Sequence, residues 1–201
     1  MKVLAEIEEI KKVIPMMELK WSIQNDKSDD DTNFIYYCQR LDQVVSLAIS
    51  NEIDIGYALH RWYNYQCSKW CEQMFCENGA QPYENEKDHD IDILIDEIPF
   101  DIKLSIISPL YTGNRDLVNR KAKDDYIKWL KANASQEKRK HDANKIFIIV
   151  DDIKSKCDIF SICDKIIKFV EYFKKNKTKY EGNGICELIY VPSSKDNYGK
   201  E

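Results

Sequence analysis

The chain has 201 residues, of which 43% are hydrophobic and 32% are charged, and its formal net charge is −5. This length suits one domain with a real core, and this composition is that of a globular protein in water rather than a disordered or fibrous one. The longest apolar run, Ile146 to Val150, is far shorter than the ~18 residues of a membrane span, and acids interrupt the apolar N-terminus, so we expect no membrane partner, no secretory signal and a cytoplasmic location.

Charge is unevenly distributed along the chain. The segment from Arg115 to Lys145 holds ten Lys and Arg against five Asp and Glu, whereas acids gather at Asp26 to Asp31 and at Glu84 to Glu97. An acidic chain with one basic segment suits a protein that binds a polyanion at one face. The alternative, a basic helix face that is merely solvated, is equally open at this point.

The seven cysteines are scattered and form no C-x-x-C pair. Cys67 and Cys71 are four residues apart on a predicted helix, a spacing that two metal ligands can use, but no Cys or His pair nearby completes a zinc site. We therefore expect buried free thiols in a reducing compartment.

Apolar spacing predicts three helices in the first part of the chain, over residues 1–20, 34–49 and 57–77. The first ends near Pro15, and the third, which is rich in aromatic residues, ends at Asn78-Gly79. The polar acidic residues 25–33 between the first two predict a loop. We take residues 1–55 as an N-terminal helical extension.

After Gly79 the pattern changes to alternation, which predicts strands. In chain order we predict strands 90–95 and 98–106, a basic helix 116–133, a charged loop 134–144, a strand 146–150, a helix 157–174 and a strand 185–191. This order predicts an α/β fold with a mixed sheet over residues 56–192, followed by a polar tail, 193–201.

A tight turn at Asp96-Glu97 would set the register of the first two strands. In that register Asp92 lies opposite Asp101 and Asp90 lies opposite Lys103, and strand alternation places Asp101 and Lys103 on one face. The other face is a core face; it carries Ile91, Ile93, Ile95, Ile98, Phe100, Ile102 and Leu104.

Three carboxylates at cross-strand distance repel one another unless a cation intervenes. Lys103 offsets one of them, and a divalent ion with oxygen ligands, Mg²⁺ or Mn²⁺, would offset the others. The alternative is the solvated polar face of a half-buried hairpin, which is common in antiparallel sheets.

The hairpin resembles the signature of the PD-(D/E)XK, or restriction-endonuclease-like, nucleases. Asp92 followed by Asp101-Ile102-Lys103 matches an acid on one strand and acid-x-Lys on the next. That family has an α-β-β-β-α-β core, which is the order predicted above apart from the helix 116–133. Glu72, with Phe75 and Gly79 after it, resembles the acid of the family's first helix, although an ordinary helix acid is an equally good interpretation.

The resemblance implies that Asp92 and Asp101 hold the metal together with the backbone carbonyl of Ile102, with Asp90 as an extra candidate ligand. It also implies that Lys103 positions or activates the attacking water. Two departures stand out: Ile91 replaces the proline before the first acid, and the second acid is Asp rather than the commoner Glu.

The function implied by this resemblance is Mg²⁺- or Mn²⁺-dependent hydrolysis of duplex DNA, as in a restriction or defence enzyme. The alternatives are a non-catalytic module on the same fold that binds nucleic acid or protein, and a structural protein whose hairpin binds Ca²⁺. DNA versus RNA, strandedness, sequence specificity and a homodimeric state are left open. Candidate phosphate contacts are Arg115, Arg120, Lys121 and Lys123, and the aromatic residues of 57–77 are expected in the core.

Overall fold

A computed structural model of the protein describes residues 4–17, 26–84, 91–133, 144–180 and 184–193. Within these residues the fold is α/β, with six α-helices and a five-stranded mixed sheet, as the sequence predicts. The chain divides into two compact units, Met1–Trp70 and Cys71–Glu201. Among the described helices, none has the length and apolar character needed to cross a bilayer.

The first unit is helical. It contains α1 (Ile7–Lys11), α2 (Asp26–Asp31), α3 (Leu41–Ser50) and most of α4 (Ile55–Glu77). The long helix α4 confirms the prediction for residues 57–77. Helices α1 and α3 are shorter than the predicted helices 1–20 and 34–49. A 3₁₀ helix, Ile14–Met16, follows α1, and another, Asn33–Tyr37, precedes α3.

The break before α3 has a local cause. The Gln43 side chain accepts hydrogen bonds from the backbone N–H groups of Gln39 and Arg40, and the Glu9 carboxylate accepts from the N–H of Leu41. These side chains satisfy N–H groups that a continuous helix would have bonded internally, so α3 begins at Leu41.

The predicted loop over residues 25–33 is wrong, because residues 26–31 form α2. Tertiary contacts stabilise this acidic helix. The Asp29 carboxylate accepts a hydrogen bond from the Tyr57 hydroxyl at 2.5 Å and forms an ion pair with Arg61 at 3.2 Å. Thr32, buried at the end of the helix, donates from its hydroxyl to the carbonyl of Ser28. Such long-range partners override a local preference for loop.

The second unit is built on the sheet. Its strands, in both chain and spatial order, are β1 (Gln81–Pro82), β2 (Ile93–Ile95), β3 (Ile98–Ile106), β4 (Asn144–Val150) and β5 (Cys186–Val191). Strand β2 is antiparallel to both neighbours, whereas β3, β4 and β5 are mutually parallel. All four predicted strands therefore lie in one sheet, and β1 is an addition that the sequence pattern did not predict.

The two connections between parallel strands carry helices. Helix α5 (Arg120–Asn133) lies between β3 and β4, and α6 (Ile159–Lys175) lies between β4 and β5. Helix α5 begins later than the predicted residue 116, because a turn at residues 117–118 and a bend at 119 precede it. Helix α6 matches its prediction closely and is capped by Asp158, whose carboxylate accepts from the N–H of Ser161 at 3.2 Å.

The sheet buries both faces. On one face the ring of Phe100 meets Phe173 of α6, with ring centroids 5.6 Å apart. On the other face Ile149 and Leu188 join residues of α5 in a core cluster, of which Tyr126 and Ile127 are the helical members. Register places Phe100 opposite Asn144 and Asp101 opposite Lys145. Asp101 and Lys145 therefore share the face that α5 covers.

The hairpin turn forms where the sequence predicts it. Ile95 pairs with Ile98, so Asp96 and Glu97 are the two turn residues, with φ of 49° and 71°. Positive φ at both positions is the geometry of a type I′ turn, whose twist matches that of the flanking strands. Neither residue is glycine, so each carries the steric cost of a Cβ in the left-handed region.

We expect Glu97→Gly to raise the free energy of unfolding by roughly 0.5–1 kcal/mol, because it removes that steric cost while keeping the turn. Denaturant unfolding measures the change. Glu97→Ala removes the same exposed side chain but keeps the Cβ, so it should bring no gain. Equal stability of the Gly and Ala variants would contradict a strained turn.

Candidate functional site

The site centres on Asp101, a buried acid in the middle of β3. Asp101 has 4% of its surface exposed, and two lysine ammonium groups flank its carboxylate. Lys103 Nζ lies 2.7 Å from Oδ1, and Lys145 Nζ lies 3.4 Å from Oδ2. Oδ1 receives no well-directed hydrogen bond from the described residues, so its contact with Lys103 is an ion pair.

Strand geometry explains this grouping. Asp101 and Lys103 are two residues apart on β3 and therefore point to the same face. Lys145 stands directly beside Asp101 in the parallel register of β3 and β4. The start of β4 is fixed by Asn144, whose buried side-chain oxygen accepts from the N–H of Ile185, and by the Lys145 N–H, which donates to the carbonyl of Ile185 at 2.8 Å.

Lys145 was not among the predicted site residues. The predicted strand begins at Ile146 and the predicted loop ends at residue 144, so the prediction assigns Lys145 to neither. A polar residue that alternates with Phe147 and Ile149 on one face is the signal that could have identified it. Only the pairing of β3 with β4 brings this lysine to Asp101.

Asp92 lies beside the same segment, with a different geometry from that predicted. Strand β2 begins at Ile93 rather than at residue 90, and the ladder ends at the pair Ile93 and Phe100. The predicted ladder pair of Asp92 with Asp101 is therefore not formed. Instead, the Asp92 N–H donates to the carbonyl of Phe100, and its Oδ2 accepts from the N–H of Ile102 at 2.7 Å.

This side-chain hydrogen bond explains why the ladder stops. In a continued antiparallel ladder the Ile102 N–H would face the carbonyl of Ile91. The Asp92 carboxylate takes that donor, and it therefore lies at the peptide that joins Asp101 to Ile102. The structure thus brings Asp92, Asp101, Ile102 and Lys103 to one short segment of the hairpin. Asp90, and with it the predicted pair of Asp90 and Lys103, lies outside the described residues.

Glu72 is on α4, half-buried, beside two cysteines rather than in the ion-pair cluster of Asp101. Burial, followed by the charge of Glu72, raises the pKa of the Cys71 thiol to about 12. The same two causes raise the pKa of Cys76. Cys71 and Cys76 are thus protonated thiols at neutral pH, and within the described residues no three His, Cys, Asp or Glu side chains are grouped to hold a metal ion.

The four candidate phosphate contacts differ in how their charges are used. Arg115 donates to the backbone carbonyls of Ser108 and Ile107, at 3.0 and 3.3 Å, so it closes the loop before α5. Arg120 is paired with Asp124 at 2.9 Å and with Glu187 at 3.2 Å.

Lys121 and Lys123, by contrast, form no ion pair with the described residues. Lys121 is exposed and Lys123 is half-buried. The lysines of the predicted group therefore have charge available for an external anion, whereas its two arginines stabilise the fold.

The donor atoms at Asp101 suit a small hard cation in number and type. Mg²⁺ is commonly held by one or two carboxylates, with waters completing its shell. Asp92 and Asp101 supply two carboxylates at one peptide, and the buried Oδ1 of Asp101 is an acceptor without a directed donor. The two ammonium groups oppose a cation, so metal binding here would require at least one lysine to move.

Comparison with known proteins gives no relative. No protein-family model matches the chain, and neither the curated proteins nor the solved structures contain a match. We therefore infer the function from the geometry of the site itself.

We expect Asp101→Asn to lower the free energy of unfolding by roughly 1–3 kcal/mol, because it leaves two ammonium groups side by side near the protein interior. Lys103→Met should cost about 0–1 kcal/mol, since 47% of that side chain is exposed and Lys145 still neutralises the acid. Denaturant unfolding of both variants measures the difference. A larger loss for Lys103→Met than for Asp101→Asn would contradict a carboxylate shared by two lysines.

Proposed function

We propose that the chain is a metal-dependent nuclease of the PD-(D/E)XK type that hydrolyses phosphodiester bonds in DNA. One observation carries the proposal: the Asp92 carboxylate binds the peptide between Asp101 and Ile102, and Lys103 is ion-paired with Asp101. An acid next to the start of β2 is therefore hydrogen-bonded to the peptide that follows the first acid of the acid-x-Lys sequence on β3.

The order of elements from α4 onward supports the proposal. Helix α4 precedes the hairpin β2–β3, and the parallel strand β4, helix α6 and parallel strand β5 follow it. With β1 and α5 left out, this order is α-β-β-β-α-β, the order that the resemblance to restriction-endonuclease-like proteins implies. The order agrees with the hairpin motif, and two independent features that agree carry more weight than the short motif alone.

In this function Asp92, Asp101 and the carbonyl of Ile102 are the residues that would hold Mg²⁺ or Mn²⁺. The bound ion would supply a water of lowered pKa and neutralise phosphate charge. Lys103 has a half-exposed side chain, so its ammonium can turn from Asp101 to an anionic phosphate or to the attacking water. Lys145 is more buried and would keep part of the Asp101 charge neutralised.

Duplex DNA is the proposed partner, and α5 is the element that would contact its backbone. Lys121 and Lys123 have the unpaired charges that phosphate binding requires, whereas Arg120 keeps its acidic partners. The aromatic residue of α5 nearest the core, Tyr126, is buried and is not available to stack on bases. Binding would therefore depend on charge and should weaken as salt rises.

A second candidate is a non-catalytic module on the same fold that binds nucleic acid or protein. The observation that favours it is the double ion pair at Asp101, which already compensates the acid without a metal. The two candidates differ in one property: only the nuclease needs the Asp101 carboxylate for turnover.

We expect purified protein to cleave plasmid DNA in the presence of Mg²⁺ or Mn²⁺ and not in the presence of chelator. Asp101→Asn and Lys103→Met should each lower the cleavage rate by at least about a hundredfold, because one removes a ligand and the other the ammonium at the phosphate. Gel assays of supercoiled and linear DNA measure the rates.

Glu8→Gln and Lys11→Met are matched controls, since they make the same charge changes at an exposed pair on α1. Both should cleave as the parent chain does. Circular dichroism of each variant distinguishes a folded variant with an inactive site from a variant that does not fold. Binding of DNA without any metal-dependent cleavage would exclude the nuclease and favour the non-catalytic module, and full activity of Asp101→Asn would exclude the mechanism.

A further inference from the structure

A basic groove lies on the second unit, between α5 and α6 and against the outer edge of β5. It is half-open and has a volume of about 400 Å³, within the range of small-molecule sites. Its walls carry four cations, contributed equally by the two helices: Arg120, Lys123, Lys165 and Lys168. Asp101 and Lys103 are not among its lining residues, so the groove is distinct from the Asp101 cluster, although Arg120 and Lys123 are also candidate phosphate contacts of the proposed function.

Two of these cations form no close ion pair with the described residues. Arg120 is paired with Asp124 and Glu187, and Lys168 is paired with Asp164 at 2.7 Å. Lys123 and Lys165, one on each helix, form no such ion pair, although the charge of Glu187 acts on Lys123 and Asp164 is close enough to Lys165 for that lysine to lower its pKa. The carboxylate in the lining, Glu187, is already engaged by Arg120 and by the Tyr180 hydroxyl, each at 3.2 Å.

Electrostatics at Lys123 shows the cost of this arrangement. Burial lowers the pKa of Lys123, the charge of Glu187 opposes that shift, and the smaller effects of Arg120 and Lys165 add to it. Four cations that share one carboxylate in the groove repel one another. An anion between the two helices would relieve that repulsion.

The rest of the lining suits an aromatic ring beside the anion. Tyr172 has 46% of its surface exposed, and Phe169 stands one helical turn before it on α6. Leu188 and Ile189 are the apolar strand residues of the lining. A half-open groove with two lysines and an aromatic wall fits a phosphate joined to a ring better than it fits an extended acidic peptide, which would lie flat along the β5 edge.

We propose that this groove binds a nucleotide phosphate, with the phosphate between Lys123 and Lys165 and the base against the ring of Tyr172. The ligand is either a free mononucleotide or the phosphorylated end of a nucleic-acid strand, since both present the same chemistry. The proposal does not depend on metal-dependent cleavage, and it stands or fails separately from the nuclease function.

Calorimetric titration of the full chain with adenosine 5′-monophosphate tests the proposal directly, with adenosine as the uncharged comparison. We expect adenosine to bind at least about tenfold more weakly. Lys123→Gln and Lys165→Gln should each weaken binding of the monophosphate about tenfold, as loss of a charge-assisted contact does. Tyr172→Ala should weaken the monophosphate but leave the affinity for inorganic phosphate unchanged.

Lys128→Gln on α5 and Lys175→Gln on α6 are matched controls, because both lysines are exposed and lie outside the groove lining. They should change affinity by less than about twofold. Oligonucleotides with and without a 5′-phosphate distinguish the two sources: tighter binding of the phosphorylated end than of the monophosphate assigns the site to a strand.

Three results would overturn the proposal. These are equal binding of adenosine and its monophosphate, absence of monophosphate binding at millimolar concentration, and equal losses in the groove variants and their controls. Displacement of the monophosphate by a hexaglutamate peptide that binds more tightly would assign the groove to an acidic strand instead.

Discussion

The shared ion pair at Asp101 is the constraint on which the candidate site depends. A carboxylate with 4% of its surface exposed needs compensation, and strand geometry supplies it from two directions. Lys103 lies two residues further along the same strand and so points to the same face, and Lys145 lies directly beside Asp101 on the neighbouring strand. Because β3 and β4 are parallel and paired at this point, loss of their register would leave Asp101 without one of its two cations.

The same face of the sheet serves both packing and chemistry. Ile149, near the carboxyl end of β4, and Leu188, in the middle of β5, pack on α5, whereas Lys145 lies at the start of β4 with Asp101 beside it on β3. The apolar cluster holds the sheet and helix together and leaves the polar cluster beyond it. A half-exposed Lys103 beside a buried Asp101 is then a pair in which one partner can move and the other cannot.

Much of this arrangement could be predicted from the sequence, because it follows from strand alternation and a two-residue turn. The turn at Asp96-Glu97, the four predicted strands and helix α6 all result from local patterns. The prediction from sequence fails where tertiary contacts determine the structure, as in the acidic helix α2, which is stabilised by Tyr57 and Arg61. The position of Asp92 depends on the Ile102 N–H, and the role of Lys145 depends on a strand pairing that no local pattern contains.

Calorimetric titration with Mn²⁺ is the most direct test of the proposed metal site at Asp92 and Asp101, since metal binding depends on these ligands and can be measured before the substrate is known. We expect one ion to bind per chain, and Asp92→Asn and Asp101→Asn each to weaken its binding at least about tenfold. Lys103→Met should bind the ion equally well or more tightly, because the ammonium that it removes repels the cation. Binding that is unchanged in Asp101→Asn, or no binding to the parent chain at millimolar Mn²⁺, would contradict the proposed metal site.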